Sequence, residues 1–244
     1  MSTYRTGPVR RAINATAGRL HDRLMRARLA YPHGETALIV VDTQNDLLGE
    51  DAPGNDLAVG GVDRAERLAK LGHLVTELRA VGVRIVFANH APLTEGADRP
   101  LTGDQRIVAQ RNLFAVGTEG AELVPPLVAQ QHDLIVTPHS GLSAFTDTEL
   151  ADQLDAAGIE RVIVAGALTE TTLDATARSA VERGMQVTVA ADASIGSNAE
   201  AHNIHVQITL PRIVHAVLDS DEILRLVGLH AHKPTADGRP EHEQ

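Results

Sequence analysis

The chain has 244 residues, a formal net charge of −10 at neutral pH and no cysteine. The acidic balance, with two tyrosines, three phenylalanines and no tryptophan, argues against nucleic acid, whose binding needs a basic surface and stacking rings. The lack of cysteine excludes disulfides, thiolate metal sites and a cysteine nucleophile.

Length and hydropathy predict one large globular domain. The hydrophobic share of 43 % is ordinary, and no apolar run approaches the ~18 residues of a membrane span. The N-terminus lacks the apolar segment of a secretory signal. We therefore expect a cytoplasmic protein that binds neither membranes nor nucleic acid.

The first thirty residues differ in charge from the rest of the chain. Seven arginines and one aspartate give them +6, which leaves −16 for the remainder. Apolar residues at three- and four-residue steps predict a helix over residues 8–29. Three interpretations stay open: a membrane-surface anchor, a transit peptide, or an arm that packs on the acidic body of its own or a neighbouring copy. The arm explains the charge split best and favours a homo-oligomer.

The remaining chain alternates between strand and helix patterns. Apolar runs predict five strands, near residues 37–41, 83–88, 133–137, 161–165 and 186–191. Amphipathic patterns predict helices near residues 62–80, 147–157, 171–183, 198–215 and 220–228. Alternation of this kind is typical of a three-layer α-β-α sandwich around a mostly parallel sheet.

Three segments complete the predicted domain organisation. We place a basic helical arm at residues 1–32, one domain at 33–228 and a flexible polar tail at 229–244. Within the domain, residues 91–132 are predicted to be an irregular excursion that forms a pocket wall or a subunit contact. His230 and His232 could bind a metal ion, although a solvated tail explains them better.

Polar residues follow the ends of several predicted strands. The first strand is a continuous apolar run that stops at Asp42, a position where α/β sheets bind their ligands. Asp42 could instead cap the next turn. The right-handed crossover rule brings further strand ends to the same edge. These are Asn89, His90, His139, the turn at 168–172 and Asp192. No dinucleotide, nucleotide or H-E-x-x-H fingerprint is present, so we expect no cofactor.

Several short motifs resemble one family. The segment V-D-T-Q-N-D-L at 41–47 resembles the opening motif of the isochorismatase-like superfamily, also called the cysteine hydrolases. The likeness continues through S-A-F-T-D-T-E-L at 143–150 and G-A-L-T-E at 166–170, and it spans about residues 36–225. The resemblance implies a Rossmann-like fold and a hydrolase, or a related lyase, that acts on a small amide, carboxylate or enol-ether substrate, with oligomers common.

The resemblance also assigns site residues. The Asp-Lys-Cys triad of the family's amidases falls on Asp42, His139 and Thr172, so two of its three positions have changed. The substrate contacts that the resemblance implies are Gln44, His90, Phe145, Leu168 and Thr171. The metal-ligand loop of nicotinamidases is absent, which predicts no metal. A cis peptide is implied between Ala167 and Leu168, with the amides of Thr171 and Thr172 facing the pocket as oxyanion donors.

Three hypotheses for the chemistry follow. Asp42 and His139 could activate the Thr172 hydroxyl as a nucleophile, although Thr172 could equally be a packed helical residue. Asp42 could act as a general acid or base without a covalent intermediate, as the resemblance to isochorismatases implies, with His139 supplying a charge that depends on its neighbours. Alternatively, the chain is a catalytically silent member that binds a ligand or serves in assembly.

Overall fold

The computed structural model describes residues 29–58, 63–92 and 100–230, with side chains to residue 228. The chain divides into two compact units, Met1–Ala30 and Tyr31–Gln244. The predicted N-terminal helix and most of the predicted tail lie outside the described residues, so those predictions stay open. All elements named below belong to the second unit.

Six parallel strands form the central sheet. They are β1 (Thr36–Val41), β2 (Arg84–Ala88), β3 (Leu134–Ile135), β4 (Arg161–Ala167), β5 (Gln186–Ile195) and β6 (Ala216–Leu218). Their spatial order is β3-β2-β1-β4-β5-β6, and each neighbouring pair is parallel. Every residue of β1 is buried, as its continuous apolar run predicted. The predicted α/β fold is confirmed.

Helices connect the strands and pack against the sheet. They are α1 (Asn45–Leu48), α2 (Arg64–Ala80), α3 (Gly103–Arg111), α4 (Leu150–Ala156), α5 (Asp174–Glu182), α6 (Ala199–Ile204) and α7 (Ser220–His230). On one side of the sheet, Leu154 of α4 and Ala177 of α5 share a core with Ile39 of β1 and Val164 of β4. Within the described ranges, no helix is long and apolar enough to cross a bilayer.

The strand order indicates at which edge of the sheet a ligand site is expected. The chain runs outward from β1 through β2 and β3, and then returns to β4 on the other side of β1. In doubly wound sheets a crevice opens at this reversal, outside the carboxyl ends of the strands. Asp42 follows β1 directly at this point. Gly166 of β4 pairs with Val41 at a φ of 118°, and a side chain there would overlap the Val41 carbonyl.

The structure corrects several predicted elements. The excursion at 91–132 contains α3, and the helix predicted over 198–215 ends at Ile204, after which two irregular helical turns and β6 follow. β5 continues past its predicted end to Ile195, so Asp192 lies within a strand. Asp192 accepts hydrogen bonds from the Ser220 amide (2.7 Å) and hydroxyl (2.9 Å). It therefore supports the start of α7, away from the predicted site.

Candidate active site

Asp42 occupies the turn that ends β1. Its backbone has a left-handed φ of 49°, which aspartate tolerates better than most residues, and its amide donates to the Ala88 carbonyl at 3.0 Å. Only 4 % of the residue is exposed. The carboxylate is therefore held close to the ends of β2 and β3.

Two histidines follow β2 and β3 and lie side by side. His90 and His139 form an isolated parallel bridge beyond the strands, in which the His139 amide donates to the Asn89 carbonyl at 3.0 Å. Their rings meet edge to face, with centroids 5.0 Å apart. His139 is fully buried. The extended ladder thus brings both imidazoles to Asp42, as the edge argument predicted.

Asp42 and His139 share one proton. Nδ1 of His139 lies 3.0 Å from the Gly141 carbonyl oxygen, which can only accept, so Nδ1 carries a hydrogen. Nε2 lies 2.9 Å from Oδ1 of Asp42, and this hydrogen bond needs one proton between the two atoms. The pair is either an imidazolium with a carboxylate or a neutral ring with a carboxylic acid.

The two imidazoles differ in charge. Burial works against a charge on His139, but the Asp42 carboxylate and the Gly141 carbonyl together outweigh it and raise the pKa of His139 above its ordinary value. Burial lowers the pKa of His90 to about 4, with Asp42 opposing the shift and His139 adding to it. These shifts favour a charged His139 beside a neutral His90.

A pocket opens beside this cluster. Its lining includes Asp42 and His90 from the strand ends and Leu168, Thr171 and Thr172 from the turn after β4. Its volume is about 50 Å³, which admits small molecules or a few waters. Most of its surface is apolar, and its polar groups come from the strand-end residues, from Thr171 and Thr172, and from helix α3. The geometry brings the predicted Asp42, His139 and Thr172 to one edge, with His139 behind Asp42 rather than in the wall.

Thr172 lies on a π-helical turn, Thr169–Leu173, that follows a cis peptide between Ala167 and Leu168. The Thr171 amide donates to the Leu168 carbonyl at 3.2 Å, so this donor is already engaged. Among the described residues, the Thr172 hydroxyl makes no hydrogen bond to Asp42 or His139. Both nitrogens of His139 have other partners, so His139 is not placed to take a proton from Thr172.

Two of the implied substrate contacts have structural partners instead. The Gln44 side chain accepts from the His90 amide (2.7 Å) and donates to the carbonyls of His90 (2.9 Å) and Ala121 (3.1 Å). Gln44 therefore fixes the segment that bears His90. Phe145 is buried in the core, with the Arg183 guanidinium 4.6 Å from its ring centre.

The predicted excursion at 91–132 does supply a wall of the pocket, but it does so through the helix α3 rather than through irregular chain. Asp104, Gln105 and Val108 line the pocket from this helix, and Phe114 follows it. The sequence signal for the start of this helix is T-x-x-Q at 102–105, which has the spacing of a capping box. In the structure, the Gln105 amide donates to the Thr102 hydroxyl (3.4 Å) and the Thr102 amide donates to the Gln105 side chain (3.0 Å).

Three of the site's side chains could hold a metal ion. One ligand atom each of Asp42, His90 and His139 lies within 4.8 Å of the other two. Two imidazoles and a carboxylate are a donor set that transition metals accept. The expectation of a metal-free site stays a prediction.

The fold and site define a class of α/β proteins with an acid at the carboxyl end of β1. The sequence model of the Isochorismatase domain matches residues 36–219, and the chain therefore belongs to the isochorismatase family. An uncharacterised family protein of Bacillus subtilis, YwoC, is 30 % identical over 181 residues, covering 73 % of this chain and 87 % of that protein.

Two further similarities concern the family and the fold. A probable inactive nicotinamidase of Arabidopsis thaliana is 28 % identical over 177 residues, covering 70 % of this chain and 86 % of that protein. A cysteine hydrolase structure from Pseudomonas syringae has a TM-score of 0.72 at 22 % identity, covering 83 % of this chain and 97 % of that one. The last likeness concerns the fold alone, since this chain has no cysteine.

Proposed function

We propose that this isochorismatase-family hydrolase cleaves a small amide, carboxylate or enol-ether substrate without a covalent enzyme intermediate. The observation that carries the proposal is the hydrogen bond between Asp42 and His139, whose other nitrogen donates to Gly141. Asp42 is the proton carrier, and His139 orients it and supplies charge. A buried carboxylate next to a pocket is suited to general acid–base chemistry.

The two carboxylate oxygens of Asp42 have different tasks. Oδ1 is held by His139, whereas Oδ2 lies 3.9 Å from the Nδ1 atom of His90, beyond hydrogen-bond reach. Oδ2 is therefore the oxygen that exchanges a proton with the reactants. In amide hydrolysis it takes a proton from the attacking water and returns it to the leaving nitrogen. In enol-ether cleavage it begins as the acid.

Thr172 supports the substrate oxygen rather than attacking the substrate. A threonine nucleophile needs a base within hydrogen-bond reach, and neither Asp42 nor His139 is hydrogen-bonded to its hydroxyl. Thr172 lines the same pocket as His90, where its hydroxyl can donate to a carbonyl or ether oxygen. One neutral hydrogen bond of this kind contributes about 1 kcal/mol.

The test is turnover on a panel of small amides and enol ethers. We expect Asp42→Asn to abolish turnover, because the amide cannot carry the proton. Thr172→Val should leave activity within about tenfold of the parent, since it removes a single hydrogen bond. Loss of activity in Thr172→Val as complete as that in Asp42→Asn would identify a hydroxyl nucleophile and contradict the proposal.

A second candidate is a catalytically silent family member. It is favoured by the replacement of two triad positions and by the similarity to a probable inactive nicotinamidase. This alternative predicts that the protein and its Asp42→Asn variant both turn over the panel no faster than buffer, while a ligand of the pocket still raises the melting temperature.

A further inference from the structure

We propose that Asp42, His90 and His139 together bind one divalent transition-metal ion of the zinc type. Metal binding itself does not depend on the proposed function. A corollary, that the bound ion inhibits the enzyme, does rest on it. The ion would displace the proton that Asp42 and His139 share, and so occupy the carboxylate that exchanges protons with the substrate.

The distances fit a site that needs only small side-chain movements. Nε2 of His139 lies 2.9 Å from Oδ1 of Asp42, and Nδ1 of His90 lies 3.9 Å from Oδ2. All three donor atoms fall within 4.8 Å of one another. Ligand bonds of about 2.0–2.1 Å to a shared ion place neighbouring donors roughly 3 Å apart, so His90 has to approach by about 1 Å.

His90 points a free donor at the cluster. Its Nδ1 atom is buried and makes no hydrogen bond, although unpaired buried nitrogens are rare in folded proteins. Gln44 holds the backbone of His90 through both its amide and its carbonyl. The contacts within the protein leave this nitrogen without a partner, and a metal ion would supply one.

His139 is oriented as metal-binding histidines usually are. Its Nδ1–H donates to the Gly141 carbonyl at 3.0 Å, which directs the lone pair of Nε2 toward Asp42. Backbone carbonyls play this supporting role for histidine ligands in metalloproteins. The donor set of two imidazoles and one carboxylate suits Zn²⁺ or Co²⁺, whereas Mg²⁺ prefers oxygen ligands.

The experiment titrates the full-length protein with Co²⁺ and follows the visible ligand-field spectrum. We expect one ion per chain, displacement by Zn²⁺ and no displacement by Mg²⁺. His90→Gln should weaken binding at least about tenfold, as the loss of a ligand weakens metal sites at least as much as the loss of its support. Circular dichroism of His90→Gln shows whether the fold is kept.

A matched control separates this site from the tail histidines. The double variant His230→Gln/His232→Gln should bind Co²⁺ as the parent does, because neither residue is one of the three proposed ligands. The proposal fails if the parent binds no Co²⁺, if a folded His90→Gln binds it unchanged, or if only the tail variant loses binding. It also fails if Mg²⁺ displaces Co²⁺.

The corollary has its own readout. On any substrate that the enzyme turns over, one equivalent of Zn²⁺ should abolish the activity, and a chelator should restore it. Full activity of the zinc-loaded protein overturns the corollary. If no substrate is turned over at all, the proposed function fails, while the spectroscopic titration still decides the metal site.

Discussion

The carbonyl of Gly141 determines what His139 can do. By accepting from Nδ1 at 3.0 Å, it obliges Nε2 to share a single proton with Asp42. The ammonium of lysine, which the resemblance implies at this position, carries a positive charge without such help. Here the surroundings of an imidazole raise its pKa and supply the charge instead. The positive charge at His139 therefore depends on Asp42 and Gly141, whereas the charge of a lysine would not.

His202 is a second buried histidine, outside the pocket. Its Nε2 atom accepts from the Arg67 guanidinium at 3.0 Å, and its Nδ1–H donates to the Thr169 hydroxyl at 2.9 Å. Burial lowers the pKa of His202 to about 4, with Arg67 and His205 adding to the shift and Glu170 opposing it. Protonation would make Nε2 a hydrogen-bond donor, and it would then face the Arg67 guanidinium, which is also a donor. Thr169 opens the turn that carries Thr172, so this network also supports the pocket.

We predict that His202 makes folding less stable in acid. Between pH 6.5 and about 4 the unfolded chain binds a proton on this ring and the folded chain does not, so the free energy of unfolding falls as pH falls. Urea unfolding at several pH values measures this slope. The parent should take up about one more proton on unfolding than His202→Gln in this range. Equal slopes would contradict the prediction.

The sequence predicts the side chains whose positions depend on where the parallel strands end. Asp42 and His139 come directly after strand patterns, and parallel strands bring such residues together. The roles of Gln44 and Phe145 could not be found in this way. The partners of Gln44 lie 46 and 77 residues away, and Phe145 is covered by Arg183, so their contacts depend on the finished fold.

Among the elements, β1 and β4 make the closest backbone approach near the site. Gly166 has a φ of 118°, and the position of a Cβ atom there is taken by the backbone of Val41. The cis peptide that precedes the π-helical turn follows one residue later. The glycine therefore lets the last pair of the β1–β4 ladder form just below Asp42.

Gly166→Ala should lower the free energy of unfolding by about 3 kcal/mol or more, since the new methyl group meets backbone atoms and the left-handed φ disfavours alanine. The matched control is Gly158→Ala. Gly158 has a φ of 67°, and a methyl group added there meets no neighbouring atom within 4 Å, so that variant should lose only about 1–2 kcal/mol. Thermal or urea unfolding compares the two, and equal losses would refute the steric argument.

Element prediction succeeded where the apolar pattern was long. The predicted ends of β1 and α2 lie within two residues of the observed ends, because a long apolar pattern marks each element. β6 has only three residues, too few to show a pattern, and it was missed. α3 is polar on most of its surface, so its capping box was its clearest signal. These missed elements matter because α3 supplies one wall of the pocket.

The chain divides into two compact units after Ala30, so the second unit can be tested on its own by removing residues 1–30. The unit Tyr31–Gln244 contains all six described strands and the candidate site. We predict that a chain starting at Tyr31 keeps the circular dichroism and cooperative unfolding of the parent. A chain that is unfolded without residues 1–30 would contradict this.

The same truncation tests the proposed role of the basic arm in a homo-oligomer. Residues 1–30 carry +6 against −16 in the rest, and opposite charges of this size favour association of the arm of one copy with the body of another. We expect a smaller mass in solution for the truncated chain by sedimentation or light scattering, beyond the mass of the residues removed. An unchanged number of copies would exclude the arm from assembly.

The two ends of the sheet have a consequence for how copies of this chain can meet. β3, at one margin, has two residues, and β6, at the other, has three. Strands this short present too few unpaired amides and carbonyls for a neighbouring chain to continue the sheet. For the part of the chain that the structure describes, we therefore expect any contacts between copies to be made by the side chains of helices and loops, with fibril-like growth through these edge strands disfavoured.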